Sequence, residues 1–517
     1  MAGNSNDTRR IAKNTLFLYA RSLFSLFVSL YSSRLILQAL GVDDYGVYNV
    51  VGGFVSMFWL VSGSLSSAVT RFLNFAMGKG DEEQLRKVFS MSLNILLVLA
   101  IVVLILTESF GIWFFNHKMN IPAGREDAAF WVFQFSVITV MSGFSVVPFN
   151  AAIVAHEKMG VYAYLGIAEA LIRLIIALVL VYGTPHADKL VLYALLWLIA
   201  TLMMQGAAAF YCVRLFPECR FKIVFDTRLF KEMIGFSGWK FLGSISHTFS
   251  GQGVNVALNM AYGTAINAAR GLTGTVSNAV GIFYNNFILA LNPQITKSFA
   301  AGDMDYVKSL SFRGTKFCFY IMFLFALPLF LEIKFVLGIW LVEVPNHTAN
   351  FIRLSLIITL IDLHSAVFNM VLFASGKIFI FQLLTSIMIF LNFPASYLAL
   401  HWGAVPEITY VINIFVVTVN VFISLWLVHS IIGFSIREII GKVFSRMTLT
   451  AIISIIPPLV IHLLFPFGWK RFLLTLATSL ACTIPAVLYI GCSRQERTTL
   501  LYDYILPRLN KSTKRTS

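Results

Sequence analysis

The stretch NTLFLYARSLFSLFVSLYSSRLILQAL, residues 14–40, decides the fold. It supplies the roughly 20 predominantly apolar residues that a helix needs to cross the hydrocarbon core of a bilayer. Yet Arg21 and Arg34 lie inside it. A cation near the bilayer centre costs about 2.5–3.5 kcal/mol on insertion scales, so arginines within such a span imply a water-filled or anion-binding interior. The segment ahead of it, MAGNSNDTRRIAKN, is polar and basic, and no small-residue cleavage pattern follows. Residues 14–40 therefore read as a first transmembrane helix and not as a signal peptide.

Working outward, thirteen further spans follow, giving an all-α polytopic membrane protein with about fourteen transmembrane helices. The composition agrees: 58% of the 517 residues are hydrophobic, 12% are charged, and the mean hydropathy is +0.80. Of the 39 Lys and Arg residues, 26 fall on one set of alternate connecting segments, 5 on the other, and 8 within or at the edges of spans. The positive-inside rule makes the 26-residue side cytoplasmic and puts both termini there. Trp113, Trp340, Trp402 and Trp469 fall at span ends on the opposite side, where an aromatic belt would place them. The net charge of +15 thus speaks of membrane orientation; no nucleic-acid motif accompanies it, and no nucleic-acid partner is expected. Five scattered cysteines without CxxC spacing indicate neither a disulfide nor a metal site.

The longest basic connection, 214–231, divides the core into six-helix lobes at 1–213 and 232–430. A cytoplasmic connection at 431–446, two additional helices at 447–492 and a basic tail at 493–517 complete the chain. One constant shift along the chain sets Gly41 on Gly263 and Gly80-Asp81 on Gly302-Asp303. Two equal lobes of the same orientation suit an alternating-access transporter.

Polar stripes mark the interior. In the first span Asn14, Arg21, Ser25 and Ser32 keep one helical face, with Tyr31, Arg34 and Gln38 on a second; in the seventh, Lys240, Gly243, Ser244, His247 and Gly251 keep one face. Span two, ending at Thr70-Arg71, and span eight, with Asn267, Arg270, Asn278, Asn285 and Asn286, are too polar to face lipid on all sides. Both are expected to line the same cavity. Glu169 and Arg173, one turn apart in span five, read as an internal ion pair. Asp362 lies mid-span with no cation nearby in sequence, so it and the Glu169–Arg173 pair are the candidates for coupling to a proton or sodium gradient. Glu108, Glu332 and Lys334 lie close enough to span ends to snorkel. There is no P-loop, no metal-ligand spacing, no nucleophile triad and no outer loop large enough for a catalytic domain, so neither an enzyme nor a cofactor is expected.

The run Leu40-Gly41-Val42-Asp43-Asp44-Tyr45-Gly46-Val47-Tyr48, then Ala68-Val69-Thr70-Arg71-Phe72 and Gly78-Lys79-Gly80-Asp81, resembles the N-terminal signature of bacterial polysaccharide flippases of the Wzx type. These belong to the multidrug/oligosaccharidyl-lipid/polysaccharide exporter superfamily. Val147-Pro148-Phe149-Asn150-Ala151-Ala152 and Ala155-His156-Glu157-Lys158 are similar to that family too. The resemblance covers roughly residues 10–430. It implies two six-helix bundles in a V around a central cavity and, for O-antigen or capsule assembly, export of undecaprenyl-pyrophosphate-linked oligosaccharide across the bacterial inner membrane. Polysaccharide polymerase and glycosyltransferases are the partners this implies, beside membrane lipids. In some relatives extra helices form a groove for the lipid tail.

Physical chemistry points the same way. A pyrophosphate-linked glycan cannot cross hydrocarbon without a wet, cationic path. Arginine grips phosphate through two parallel hydrogen bonds and lysine acts as a point charge. Arg21, Arg34, Lys240 and Arg270 are therefore expected to hold the head group and Arg71 to guard the cytoplasmic entrance, with Asn14, Ser25, His247, Asn278 and Asn285 lining the cavity. A multidrug exporter of the same superfamily is the nearest rival; its cavity would be acidic. A membrane polymerase or glycosyltransferase is the rival from another class.

Overall fold

The computed structural model describes the backbone of residues 5–79, 81–156, 158–183, 188–220, 226–376 and 378–498; side chains are described from Phe24 on, apart from residues 236–240 and scattered single positions. Among the described residues every regular element is a helix. With no water in the hydrocarbon core, backbone polar groups must be satisfied within each segment, and helices do this. Among the described residues eleven helices are long and apolar enough to cross a membrane, against the fourteen spans read from the sequence. The difference has a physical origin. The first span and the start of the second run as one helix, Ser5–Ser56, broken at Gly41; the helix Val254–Tyr262 is only nine residues long, and Thr227–Thr248 and Thr264–Ala300 are rich in polar residues.

Contacts divide the chain into two compact units. The first comprises Met1–Val276, Trp340–Phe351 and Gln382–Ile412; the second comprises Ser277–Ile339, Ile352–Phe381 and Asn413–Ser517. The core of the first joins Val69 and Leu73, Phe89 and Met91, Phe144 and Ile153, Cys212 and Met233, one layer from each of five helices. In the second, Phe319, Tyr320, Phe323 and Leu327 pack against Val443 and Met447.

The sequence repeat reappears as geometry. Gly41 has φ 76° and ψ 177°, and Gly263 has φ 76° and ψ −167°. Only glycine adopts this region without strain of order 1–3 kcal/mol. Asp81 and Asp303 each cap the helix that follows, accepting from the backbone N–H of Gln84 (2.8 Å) and Tyr306 (3.0 Å). Their own N–H groups donate to Ala76 (3.3 Å) and Ser298 (3.1 Å), each on the last turn of the helix before. Every member of these pairs is related to its counterpart by the one shift that sets Gly41 on Gly263. The same shift relates Arg125 to His347, which open the helices Glu126–Ala155 and Thr348–Ala374. Arg125 binds Asp44 (2.8 and 2.6 Å) and Asp188 (2.6 and 3.1 Å). His347 meets Glu407 (2.7 Å), which also accepts from Asn350 (2.9 Å).

In the first unit the second and eighth spans touch backbone to backbone: a Cβ placed on Gly46 would overlap the carbonyl oxygen of Thr264. Trp340 ends its helix and donates its indole N–H to the Leu30 carbonyl (2.8 Å); Trp113, Trp402 and Trp469 are exposed.

Candidate transport site

Three of the residues assigned to the head group and cavity, Asn14, Arg21 and Lys240, lie outside the described side chains. Arg34 is half-buried and Arg71 exposed. Arg270 is half-buried in the first unit, where its guanidinium donates to the Gly251 carbonyl (3.0 Å) and sits 5.5 Å from the centre of the Tyr410 ring. The structure thus brings the span-eight cation to the span-seven stripe, through a backbone carbonyl. That stripe is not continuous. A π turn at Phe249–Gly253 interrupts the helical period after Thr248, and a Cβ on Gly243 would collide with the Gln382 amide, so Gly243 faces a packed helix. His247 remains exposed on the same helix. In the first span Ser25 is half-buried, Ser32 fully buried, and Tyr31 and Gln38 exposed, so the second stripe is the open one.

The asparagines of the polar spans divide into two sets. Asn267 is fully buried and donates to the backbone and side-chain oxygens of Asn255 (2.8 and 2.9 Å); Asn255 donates to the Asn49 carbonyl (3.3 Å). Asn259 and Asn120 exchange two hydrogen bonds (2.9 and 3.0 Å). This corrects the sequence expectation for Asn267: its amide joins a helix-to-helix seam, which satisfies polar groups away from water. Asn278 and Asn285 are exposed.

Glu169 and Arg173 do not form the expected ion pair. Glu169 is exposed, whereas Arg173 lies over the indole of Trp197, 4.8 Å from the ring centre. A carboxylate one turn away at the surface loses to an aromatic face already placed by packing, which attracts a desolvated cation. Asp362 is exposed, and its carboxylate has no ion-pair partner among the described residues.

Glu332 was expected to snorkel, and here the structure overturns the sequence reading. Glu332 is 1% exposed and accepts from Arg471 (2.9 and 3.2 Å) and Thr475 (3.2 Å), with His462 Nδ1 at 2.7 Å. It ties the last two helices to the helix Met304–Trp340. A second tie stands at residue 316 of the same helix, where buried Lys316 donates to both oxygens of Glu496 (2.6 and 2.8 Å). Burial pushes the Glu496 carboxyl up, but Lys316 and the Ser493 N–H outweigh it and hold it below the usual range. Between the ties lies an apolar cavity of about 290 Å³, lined by Phe323, Leu327, Phe330, Leu360, Ile455 and Leu459. The partners of Glu332 are 130 or more residues away in sequence, so no local spacing signalled them. Among the described residues no three His, Cys, Asp or Glu side chains come together as a metal set.

No protein-family model matches the chain. The membrane protein EpsK of Bacillus subtilis (strain 168), described as uncharacterized, is 22% identical over 300 residues, covering 55% of this chain and 56% of that protein. The chain thus spans little more than half the length of that curated relative. Among solved structures, the lipid II flippase MurJ in an inward closed conformation superposes with a TM-score of 0.69 at 12% identity, covering 95% of this chain and 99% of that one. An inward-facing multidrug resistance MATE family transporter of the MOP superfamily gives 0.65 at 10%, covering 79% and 96%. A MOP superfamily transporter from Pyrococcus furiosus Vc1 (DSM3638), described as having a binding pocket of reversed polarity that suggests a different function, gives 0.55 at 13%, covering 80% and 95%. The chain is a multi-pass membrane protein with the helical fold of these flippases and transporters.

Proposed function

We propose that the chain is an alternating-access flippase that carries an undecaprenyl-pyrophosphate-linked oligosaccharide from the cytoplasmic to the outer leaflet of the bacterial plasma membrane, for assembly of a surface polysaccharide. The observation that carries this reading is coverage. The fold of a lipid flippase extends over 95% of the chain, whereas the multidrug transporter fold leaves about a fifth over. The two additional helices and the tail after them, 447–517, make up about a seventh of the chain and so account for most of that remainder. In this reading they hold the polyprenyl chain against the apolar cavity near Phe323 and Leu459. The lobes 1–213 and 232–430 move about the linker 214–231, and Arg21, Arg34, Lys240 and Arg270 receive the pyrophosphate, with Arg71 at the cytoplasmic entrance. Asp362 is the candidate for ion coupling.

The eight cations within or at the edges of spans favour an anionic head group over organic cations, which such a field repels. The test is transport by purified protein in proteoliposomes, with undecaprenyl-pyrophosphate glycan and a cationic dye offered in parallel. Glycan movement without dye movement is expected; dye movement without glycan movement would make the chain a drug exporter. Unchanged ionophore sensitivity in Asp362→Asn would remove Asp362 from the coupling path.

A further inference from the structure

The first unit contains a second cavity, of about 320 Å³, a half-open cleft bordered by the 48–56 stretch, the helices Glu126–Ala155 and Lys189–Leu215, and the π turn Phe249–Gly253. Its volume lies at the lower end of ligand pockets, which run from about 300 to 1,000 Å³, so it suits one small ring rather than a whole oligosaccharide. Trp197, Tyr48 and Phe135 give it aromatic walls, and no Asp, Glu, Lys, Arg or His lines it. Three of the polar side chains that line it are unpaired. The Ser136 hydroxyl, the Trp197 indole N–H and the Gln252 amide have no hydrogen-bond partner among the described residues. The hydroxyls of Ser56 and Thr139 turn back onto carbonyls of their own helices, and that of Tyr48 meets the Tyr193 hydroxyl.

An aromatic wall beside unpartnered amide and hydroxyl groups fits two kinds of ligand, an uncharged polyhydroxyl ring or an organic cation. Arg173 decides between them. Its guanidinium already lies over the Trp197 ring with no carboxylate paired to it among the described residues, so the ring's attraction for cations is taken and the local field is positive. A sugar ring loses nothing by that. Its C–H face rests on apolar walls while its hydroxyls exchange water for Ser136, Trp197 and Gln252.

We propose that this cavity is a saccharide subsite that takes one uncharged sugar residue, held against Trp197 and hydrogen-bonded by Gln252 and Ser136. The proposal rests on the flippase reading and adds to it a place where the glycan itself is read, apart from its pyrophosphate.

The test uses the full chain in lipid nanodiscs. Glucose, galactose and N-acetylglucosamine are titrated at millimolar concentration, with tetraphenylphosphonium as the competing probe, followed by tryptophan emission and calorimetry. At least one sugar should bind. Its emission change should vanish in Trp197→Phe, and its affinity should fall roughly fivefold to tenfold in Gln252→Leu and in Ser136→Ala, the loss of one neutral hydrogen bond. Binding of none of the three sugars, affinities unchanged in both polar variants, or an emission change from the phosphonium that disappears in Trp197→Phe would each overturn the subsite. The two levels fail separately. A sugar that binds here while no lipid-linked glycan crosses the bilayer defeats the flippase reading and keeps the site. Normal glycan movement by a Gln252→Leu/Ser136→Ala double variant does the reverse.

Discussion

Two clamps stand at corresponding places in the repeat and are built from different chemistry. At the head of the helix Glu126–Ala155, Arg125 holds two carboxylates, Asp44 and Asp188, through four hydrogen bonds. At the head of Thr348–Ala374, its counterpart one repeat further along, His347 holds one carboxylate, Glu407, which also takes the Asn350 amide. The first is a permanent cation with a planar fork. The second is charged only when its imidazole is protonated. The shift thus keeps the position of the clamp, while the cation has changed and the gripped acids, Asp188 and Glu407, stand ahead of the corresponding helices without sharing the shift. In both halves an acid just before one helix is tied to the head of another two helices away in sequence order, so the clamp belongs to the architecture and its strength is set locally.

The comparison breaks most visibly at Arg125. Arg125→Ala leaves two carboxylates facing each other, both partly buried, and is expected to cost about 2–3 kcal/mol, read as a drop in thermal unfolding temperature in detergent. His347→Ala leaves one carboxylate still bonded to Asn350 and should cost under about 1 kcal/mol. Equal losses would mean that the clamps are equivalent and the contrast is empty. Between these in size, Gly41→Ala and Gly263→Ala should each cost about 2 kcal/mol, because both force a side chain into the same left-handed extended region. Neither new methyl meets a close neighbour, so a large inequality would show that the repeat in backbone geometry is accidental.

The smallest effect is in pH. Burial pushes the carboxyls of Asp188 and Glu407 up, but the hydrogen bonds outweigh it and hold both below the usual range. The donors are Arg125 and the backbone N–H groups of Val191 and Leu190 at Asp188, and Asn350 and His347 at Glu407. A carboxyl whose folded pKa is depressed adds stability that is fully present above its unfolded value and is lost as pH falls through the folded value. Thermal stability should therefore be flat toward acid and fall below about pH 4. Asp188→Asn should flatten that fall more than Glu407→Gln, since more donors converge on Asp188; the opposite order would contradict the ranking of the clamps.

The parts of this fold that show in the sequence are those governed by local rules. Gly41 and Gly263, and the aspartates that cap the next helix, announce themselves because a positive φ and a helix start each restrict residue type at one position. The hydrophobic spans show for the same reason. What stays hidden depends on distant partners. Asn267 and Asn278 are the same residue type on one helix, yet one is sealed in a seam and the other is open, and only packing separates them. Arg173 reads as paired to Glu169 by helical spacing, but the winning partner, Trp197, comes from another helix. Glu332 looks like a span-end residue because its partners, His462 and Arg471, arrive from the far end of the chain. The π turn at Phe249–Gly253 breaks the seventh-span stripe, since a helical period of about 3.6 assumes an unbroken α-helix.

Whether cations inside the spans receive an anionic head group is tested most directly by one measurement. Movement of undecaprenyl-pyrophosphate glycan across proteoliposome membranes is compared among the wild type, the Arg21→Ala/Lys240→Ala double variant and an Arg270→Lys variant, at equal protein levels. The double variant should lose movement at least about tenfold, as the loss of about 1.4 kcal/mol or more of charge-assisted binding would give, while Arg270→Lys keeps part of it. Full movement by the double variant would contradict the cationic path.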